Sequence, residues 1–282
     1  MAVMAGPCRP ARGHAEKKAP PAVAICISGL LRSFNSTAGN ILTTMVRPIR
    51  DVADVFMALD PRLDEYHNHP TTMNATGVQI REWTAPFNPL VLQVQRRAGQ
   101  NEGLKDCLRM IEAEELARCR SYDWVVRLRP DVAYTCRLPT IEEWPPFRRA
   151  SARAPTAHRP RPPWVLSDWI FVENYTTRSV AVKDVWAVMD RSAASVYMRD
   201  WPRKCGCNGE HGINEEDLGC TLSQGRVEVG AALTPGVPLR RIVRTWESGR
   251  VEPNCSACRT LRWNETRWFS TLEQHAHVAQ GR

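Results

Sequence analysis

Ala22-Val23-Ala24-Ile25-Cys26-Ile27-Ser28 is apolar at every position until its last, and Gly29 follows it. Seven residues suit a strand and are short for a helix. A continuous apolar run, unlike an alternating one, belongs to a strand covered on both faces, as in a parallel sheet. The run therefore predicts a central strand with helices above and below it.

The flanking sequence supports that reading. A helix follows, with Ser36 or Thr37 as its cap and Ile41, Leu42, Met45 and Ile49 at helical spacing. Asp54–Asp60 reads as a second strand and Gly77–Trp83 as a third, with Pro70–Thr76 as loop between them. Asn101–Arg120 carries Leu104, Leu108, Ile111, Glu115 and Cys119 in a helical stripe. A fourth strand lies within Tyr122–Thr135. The order strand–helix–strand–strand–helix–strand predicts an α/β three-layer sandwich with a mostly parallel central sheet.

Beyond it, Ile141–Pro163 has no periodicity and is rich in Pro and Arg, the composition of a flexible insertion. Trp164–Asn174 reads as a strand pair or one long bent strand. Arg178–Met198 reads as a helix with Val182, Val185, Trp186 and Met189 on its stripe, and Asn214–Ser223 as a further helical stretch. The chain divides into a disordered leader over residues 1–21, one domain over 22–250 containing the 141–163 insertion, and a Cys-containing tail over 251–282.

The fourth strand raises a chemical question. In YDWVVRLRPDVAYT, Tyr122–Thr135, strand alternation puts Val125, Arg127, Arg129 and Asp131 on one side and Trp124, Val126 and Leu128 on the other. A solvated edge strand is the plain explanation. The alternative is a ligand site, because open α/β sheets bind ligands beyond the carboxyl ends of their strands. Arginine forks match phosphate, and a carboxylate matches a divalent metal or a sugar hydroxyl.

Composition narrows the partner. The chain of 282 residues is 43% hydrophobic with ten Trp, which is globular, and carries a net charge of +8. That charge favours an anionic partner. The arginines are scattered rather than gathered in one basic block, so a small anion is expected and a nucleic acid is not. No stretch reaches the roughly 18 apolar residues of a membrane span, and residues 1–22 lack the apolar core of a signal peptide.

Sequons begin at Asn35, Asn74, Asn174, Asn254 and Asn264. Cys26, Cys107 and Cys119 fall within apolar elements, where cysteine serves as a small buried hydrophobe. Cys205, Cys207, Cys220, Cys255 and Cys258 form a late cluster. Disulfides, free thiols and zinc all fit that cluster, and the sequons favour disulfides. A Golgi or secretory-pathway lumen is the expected location, with a membrane anchor outside this chain; a cytoplasmic location is the alternative.

Four pieces converge on one sheet end: the turn Ser28-Gly29-Leu30-Leu31-Arg32-Ser33, the fourth-strand group Arg127, Arg129 and Asp131, Ser167-Asp168 on the later strand, and the acidic helix start Asn214-Glu215-Glu216-Asp217. An acidic helix start also stabilises the helix dipole without further function. At these residues the sequence resembles the GT-A class of nucleotide-sugar glycosyltransferases. More narrowly, it is similar to algal, plant and viral glycosyltransferase-like proteins with an SGLLRSF turn, a YDWVVRLRPD strand and a strand like SDWIFV, over most of residues 22–245.

The resemblance implies a GT-A-like fold and transfer of a sugar from a nucleotide-diphosphate donor to a glycan or protein acceptor. It places Ser28, Gly29, Arg32, Arg127, Arg129, Asp131 and Asp168 on the donor. It makes Asp131 the ligand of a Mn2+ or Mg2+ ion, and Asp217, beside Glu216, the base that takes the acceptor proton. The chain departs from the Asp-x-Asp motif, because position 129 is Arg and one carboxylate remains. A non-catalytic carbohydrate- or nucleotide-binding module on the same fold is the rival reading. A phosphate-ester or sulfuryl-transfer enzyme lacks support, since there is no GxxxxGK loop.

Overall fold

The computed structural model describes residues 22–63, 74–96, 100–134, 137–138, 140–141, 144, 163–174, 177–200, 218, 221–222, 225–232, 240–241 and 266–269. The leader, most of the insertion, the acidic run 214–217 and the late cysteine cluster lie outside them.

The strands are β1 (Val23–Leu30), β2 (Ala53–Asp60), β3 (Val91–Val94), β4 (Trp124–Leu128), β5 (Val132–Ala133), β6 (Trp164–Asn174), β7 (Thr177–Asp190), β8 (Glu228–Ala232), β9 (Arg240–Arg241) and β10 (Thr266–Phe269). The helices are α1 (Phe34–Ile41), α2 (Gly77–Thr84), α3 (Gln100–Arg118) and α4 (Arg191–Ser195). Eight strands form one sheet in the order β10-β8-β6-β7-β4-β1-β2-β3, and β5 pairs with β9 separately. The pairings β4-β1, β1-β2, β2-β3 and β6-β8 are parallel, while β6-β7, β4-β7 and β8-β10 are antiparallel. The sheet is mixed and mostly parallel, as expected.

The apolar run beginning at Ala22 becomes β1, flanked by β2 and β4. Val23, Ile25 and Ile27 pack on the side of α1, with Phe34, Ile41, Met45 and Phe87. Ala24 and Cys26 pack on the other side, with Leu104, Cys107, Leu108 and Ile111 of α3 and with Ala193 and Ala194 of α4. Both faces of β1 are therefore covered, which is why its sequence does not alternate. The fourth-strand alternation also holds: Trp124, Val126 and Leu128 join the α1 side and Val125 the α3 side. Burial on both faces excludes the solvated edge strand.

Four local readings are corrected. Gly77–Trp83 is helix α2, not a strand: the Thr76 hydroxyl accepts from Gln79 N and the Gln79 side chain accepts from Thr76 N, a capping box that fixes a helix start. Residues 178–190 belong to strand β7, not a helix, because the segment pairs antiparallel with both β6 and β4; helix begins only at Arg191, capped by Asp190. The first helix starts at Phe34 with Ser33 as its N-cap. It passes into a π turn over Leu42–Val46 and a 3-10 turn over Arg47–Val52, where Pro48 interrupts regular helix.

The fourth correction concerns Cys26 and Cys107, and the start of the insertion is placed beside it. Ile141 and Trp144 are buried, and Trp144 meets Trp124 edge-on with ring centroids 5.7 Å apart, so the insertion is anchored where it begins. Cys26 and Cys107 are not merely small hydrophobes; they form a disulfide joining β1 to α3. Cys119 is also disulfide-bonded. No helix among the described residues is long and apolar enough to cross a membrane.

Candidate functional site at the carboxyl edge of the parallel strands

Parallel strands β2, β1 and β4 end side by side, and charged residues follow or close each of them. Near the end of β1 the chain passes through Gly29, at φ +141°, a conformation side chains rarely adopt. A Cβ there would lie 3.1 Å from Cδ of Pro130 in the loop after β4, so glycine lets the two loops touch. The β1 loop is also zipped to β2: Leu31 N donates to Asp60 O at 3.0 Å and Arg32 N to Arg62 O at 3.2 Å.

Helix α1 holds the loop after β4 from the other side. Thr37 Oγ1 donates to Pro130 O. Asn40 makes a two-point contact with Tyr134, accepting from its backbone N–H at 2.6 Å and donating to its carbonyl at 2.9 Å. The Tyr134 hydroxyl accepts from Arg129 N at 3.1 Å. Burial pushes this phenol well above its ordinary value, with Asp131 adding to the rise and the arginines opposing it. It is a neutral strut.

Asp131 is the centre of the arrangement. Arg129 grips it side-on, Nε to Oδ1 at 2.9 Å and Nη2 to Oδ2 at 2.8 Å, and Arg32 Nη1 reaches Oδ2 at 3.1 Å. The carboxylate is 4% exposed while the two guanidinium side chains are 13% and 16% exposed, so the anion lies beneath and the cations reach the surface. Two-point Arg–carboxylate pairing fixes the guanidinium plane as well as its position. Arg127 is wholly buried, on the α3 side of β4 beside Ala187 of β7.

The same device occurs at β2, and the sequence reading did not include it. Arg62 grips Asp60 side-on, Nε to Oδ1 at 2.9 Å and Nη2 to Oδ2 at 2.6 Å. Asp60-Pro61-Arg62 and Arg129-Pro130-Asp131 are the same residues in opposite order, each following a strand next to β1. That echo was present in the sequence and was the signal for the second pair. Thr37, Asn40 and Tyr134 had no such signal.

The remaining predicted residues distribute as follows. Ser28 ends the buried part of β1, and its hydroxyl has no hydrogen-bond partner among the described residues. Asp168 sits at a register shift in β6 between Ser167 and Trp169. Ser167 and Arg127 both pair with Ala187, so Asp168 is level with the end of β4 across β7, roughly 10 Å away at two strand spacings. Glu216 and Asp217 lie outside the described residues; Leu218, which follows them, is buried on the α3 side.

These residues do not fit a divalent ion at Asp131. Both of its oxygens are engaged by guanidinium groups, and among the described residues no group of three His, Cys, Asp or Glu side chains converges. Ions of this kind take several oxygen ligands, which guanidinium groups cannot supply. Among the described residues the strand ends instead bring three part-exposed guanidinium groups, Arg32, Arg62 and Arg129, against two buried carboxylates, Asp60 and Asp131. That surplus of cationic charge suits an anion.

The sequence matches no protein-family profile and no curated protein sequence. Among solved structures, the chain is similar to a mannosyltransferase from Pyrobaculum calidifontis in complex with GDP-Man and Mn2+. The sequence identity is 13% and the TM-score 0.37, and the match covers 78% of this chain and 59% of that one. A similarity at this score carries no argument about chemistry. The site rests on its own residues.

Proposed function

We propose that the chain is a glycosyltransferase that moves a sugar from a nucleotide-diphosphate donor to a glycan or protein acceptor. The observation that carries this reading is the pair of guanidinium groups, Arg32 and Arg129, held on one buried carboxylate at the carboxyl edge of parallel strands. Breaking a glycosyl–phosphate bond leaves negative charge on the departing diphosphate. Cations fixed in advance act on charge as it develops, usually the largest contribution to catalysis. Here arginines take the part that a Mn2+ or Mg2+ ion plays where two carboxylates are present. Asp217, with Glu216 beside it, is assigned to remove the acceptor proton, and Ser28, Gly29 and Asp168 to line the donor.

The test is a panel of nucleotide sugars scored for thermal stabilisation, with and without manganese, followed by slow donor hydrolysis. Stabilisation and hydrolysis by one donor support a transferase. Stabilisation without turnover favours the second reading, a nucleotide- or carbohydrate-binding module, which the full engagement of the Asp131 carboxylate by arginines also supports. No stabilisation by any donor removes both.

The proposed location is a Golgi or secretory-pathway lumen, because a disulfide within the core persists in an oxidising compartment. Expression in a secreting eukaryotic host should give a mass shift that a glycosidase removes. Cysteines all open to alkylation, with no shift, would place the protein in the cytoplasm.

A further inference from the structure

We propose that Arg62, anchored by Asp60, is the third guanidinium of this anion site and takes the second phosphate of a diphosphate. The inference rests on the donor-diphosphate reading for its biological ligand, while its physical basis is separate. Arg32 connects the two Asp–Arg pairs. Its backbone N–H bonds to Arg62 O at 3.2 Å, and its side chain crosses to Asp131 at 3.1 Å. The strand order therefore sets Arg62, Arg32 and Arg129 in a row of residues at the neighbouring ends of β2, β1 and β4.

All three guanidinium groups reach the surface, and the carboxylates that hold them, Asp60 and Asp131, are nearly wholly buried. Buried carboxylates that grip arginines side-on are anchors, because they hold the plane of each fork and sit beneath it. A single phosphate meets either the Arg129 and Arg32 pair or Arg62, and not both. Two linked phosphates can lie along the row, with one on Arg129 and Arg32 and the other on Arg62. A row of this kind recognises a diphosphate in preference to a monophosphate, and needs no ion to do so. Asp60 acts through Arg62 as a positioning residue.

The experiment is calorimetric titration of the full chain with inorganic phosphate and inorganic pyrophosphate in the presence of a chelator. Wild type should bind pyrophosphate at least ten-fold more tightly than phosphate. Arg62→Ala should abolish that preference and keep phosphate affinity, whereas Arg129→Ala should weaken both ligands. If Arg62→Ala does not fold, Arg62→Lys carries the test: it keeps the charge and forfeits the fork, and should lose at least three-fold in pyrophosphate affinity alone. A wild type indifferent between the two anions, or a folded Arg62 variant with unchanged preference, overturns the inference. Pyrophosphate preference without binding of any nucleotide sugar leaves the cradle standing and removes the donor reading. Nucleotide-sugar binding unaffected by Arg62→Ala does the reverse.

Discussion

Arg32 and Asp131 are ninety-nine residues apart in sequence and joined by a 3.1 Å ion pair. One arginine from the β1 loop and one from the β4 loop thus share a single buried anion. Asp131→Asn keeps the shape and removes the charge both arginines face. Losing one partner of a mostly buried pair should lower stability by about 2–3 kcal/mol, measured in urea. A loss below about 0.5 kcal/mol would mean that the two guanidinium groups are satisfied without the carboxylate.

Gly29→Ala tests the contact between loops. The backbone is at φ +141° and the new Cβ meets Pro130, so strain adds to crowding. A loss of about 1–3 kcal/mol is expected in thermal unfolding. Donor affinity should fall with it, because Pro130 precedes Asp131. Weaker anion binding at unchanged stability would place Gly29 against the ligand instead.

Asp217→Asn separates the acceptor side from the donor side. Nucleotide-sugar affinity should stay near wild type while transfer falls roughly 10²-fold or more. If the aspartate only stabilises a helix start, turnover stays unchanged and the melting temperature drops slightly. Rate and melting curve together decide.

Alkaline pH should destabilise the fold through Tyr134 and Tyr122. Burial raises both phenols above their ordinary 10.0, with a hydrogen bond to Asp54 reinforcing the rise at Tyr122. Above about pH 10 the unfolded chain releases these protons while the folded chain keeps them. The contribution of these two phenols to stability is therefore constant below that pH and declines above it. Tyr134→Phe should shallow the decline in denaturant titrations between pH 9 and 11; an identical slope would mean that this phenol ionises as freely folded as unfolded.

The parts of the fold that were legible in sequence share one property: local pattern and burial agree. β1, β2 and, apart from Arg127, β4 are largely apolar where both faces are covered, and α3 shows its stripe of Leu104, Leu108 and Ile111 plainly. Where two patterns coexisted, the wrong one was followed. Val182, Val185, Trp186 and Met189 fit helical spacing, but pairing with β4 and β6 decided for a strand, and pairing between distant segments leaves no local mark. In GVQIREW the alternating apolar residues suggested a strand, and the Thr76–Gln79 capping box outweighed them.

At the site, the structure brings Arg32, Arg129 and Asp131 together as ion pairs, where the sequence pattern shows only charges on one edge. A one-dimensional pattern shows which charges share an edge. It does not show that an arginine folds back onto the carboxylate two residues away. The Asp60–Arg62 pair was missed for the same reason: Asp60 looked like the last residue of a strand.

The Cys26–Cys107 bridge sets an order of events during synthesis. Its halves are 81 positions apart, so at 5–20 residues per second the second thiol leaves the ribosome roughly 4–16 s after the first. Under oxidising conditions Cys8 would already be at hand, eighteen positions upstream. The nascent chain therefore has a nearby wrong partner for Cys26 before the right one exists. Correct oxidation must wait for α3 to emerge and cover β1, or depend on exchange by an isomerase afterwards. Cys26, wholly buried in the finished fold, is open to mispairing until α3 is made.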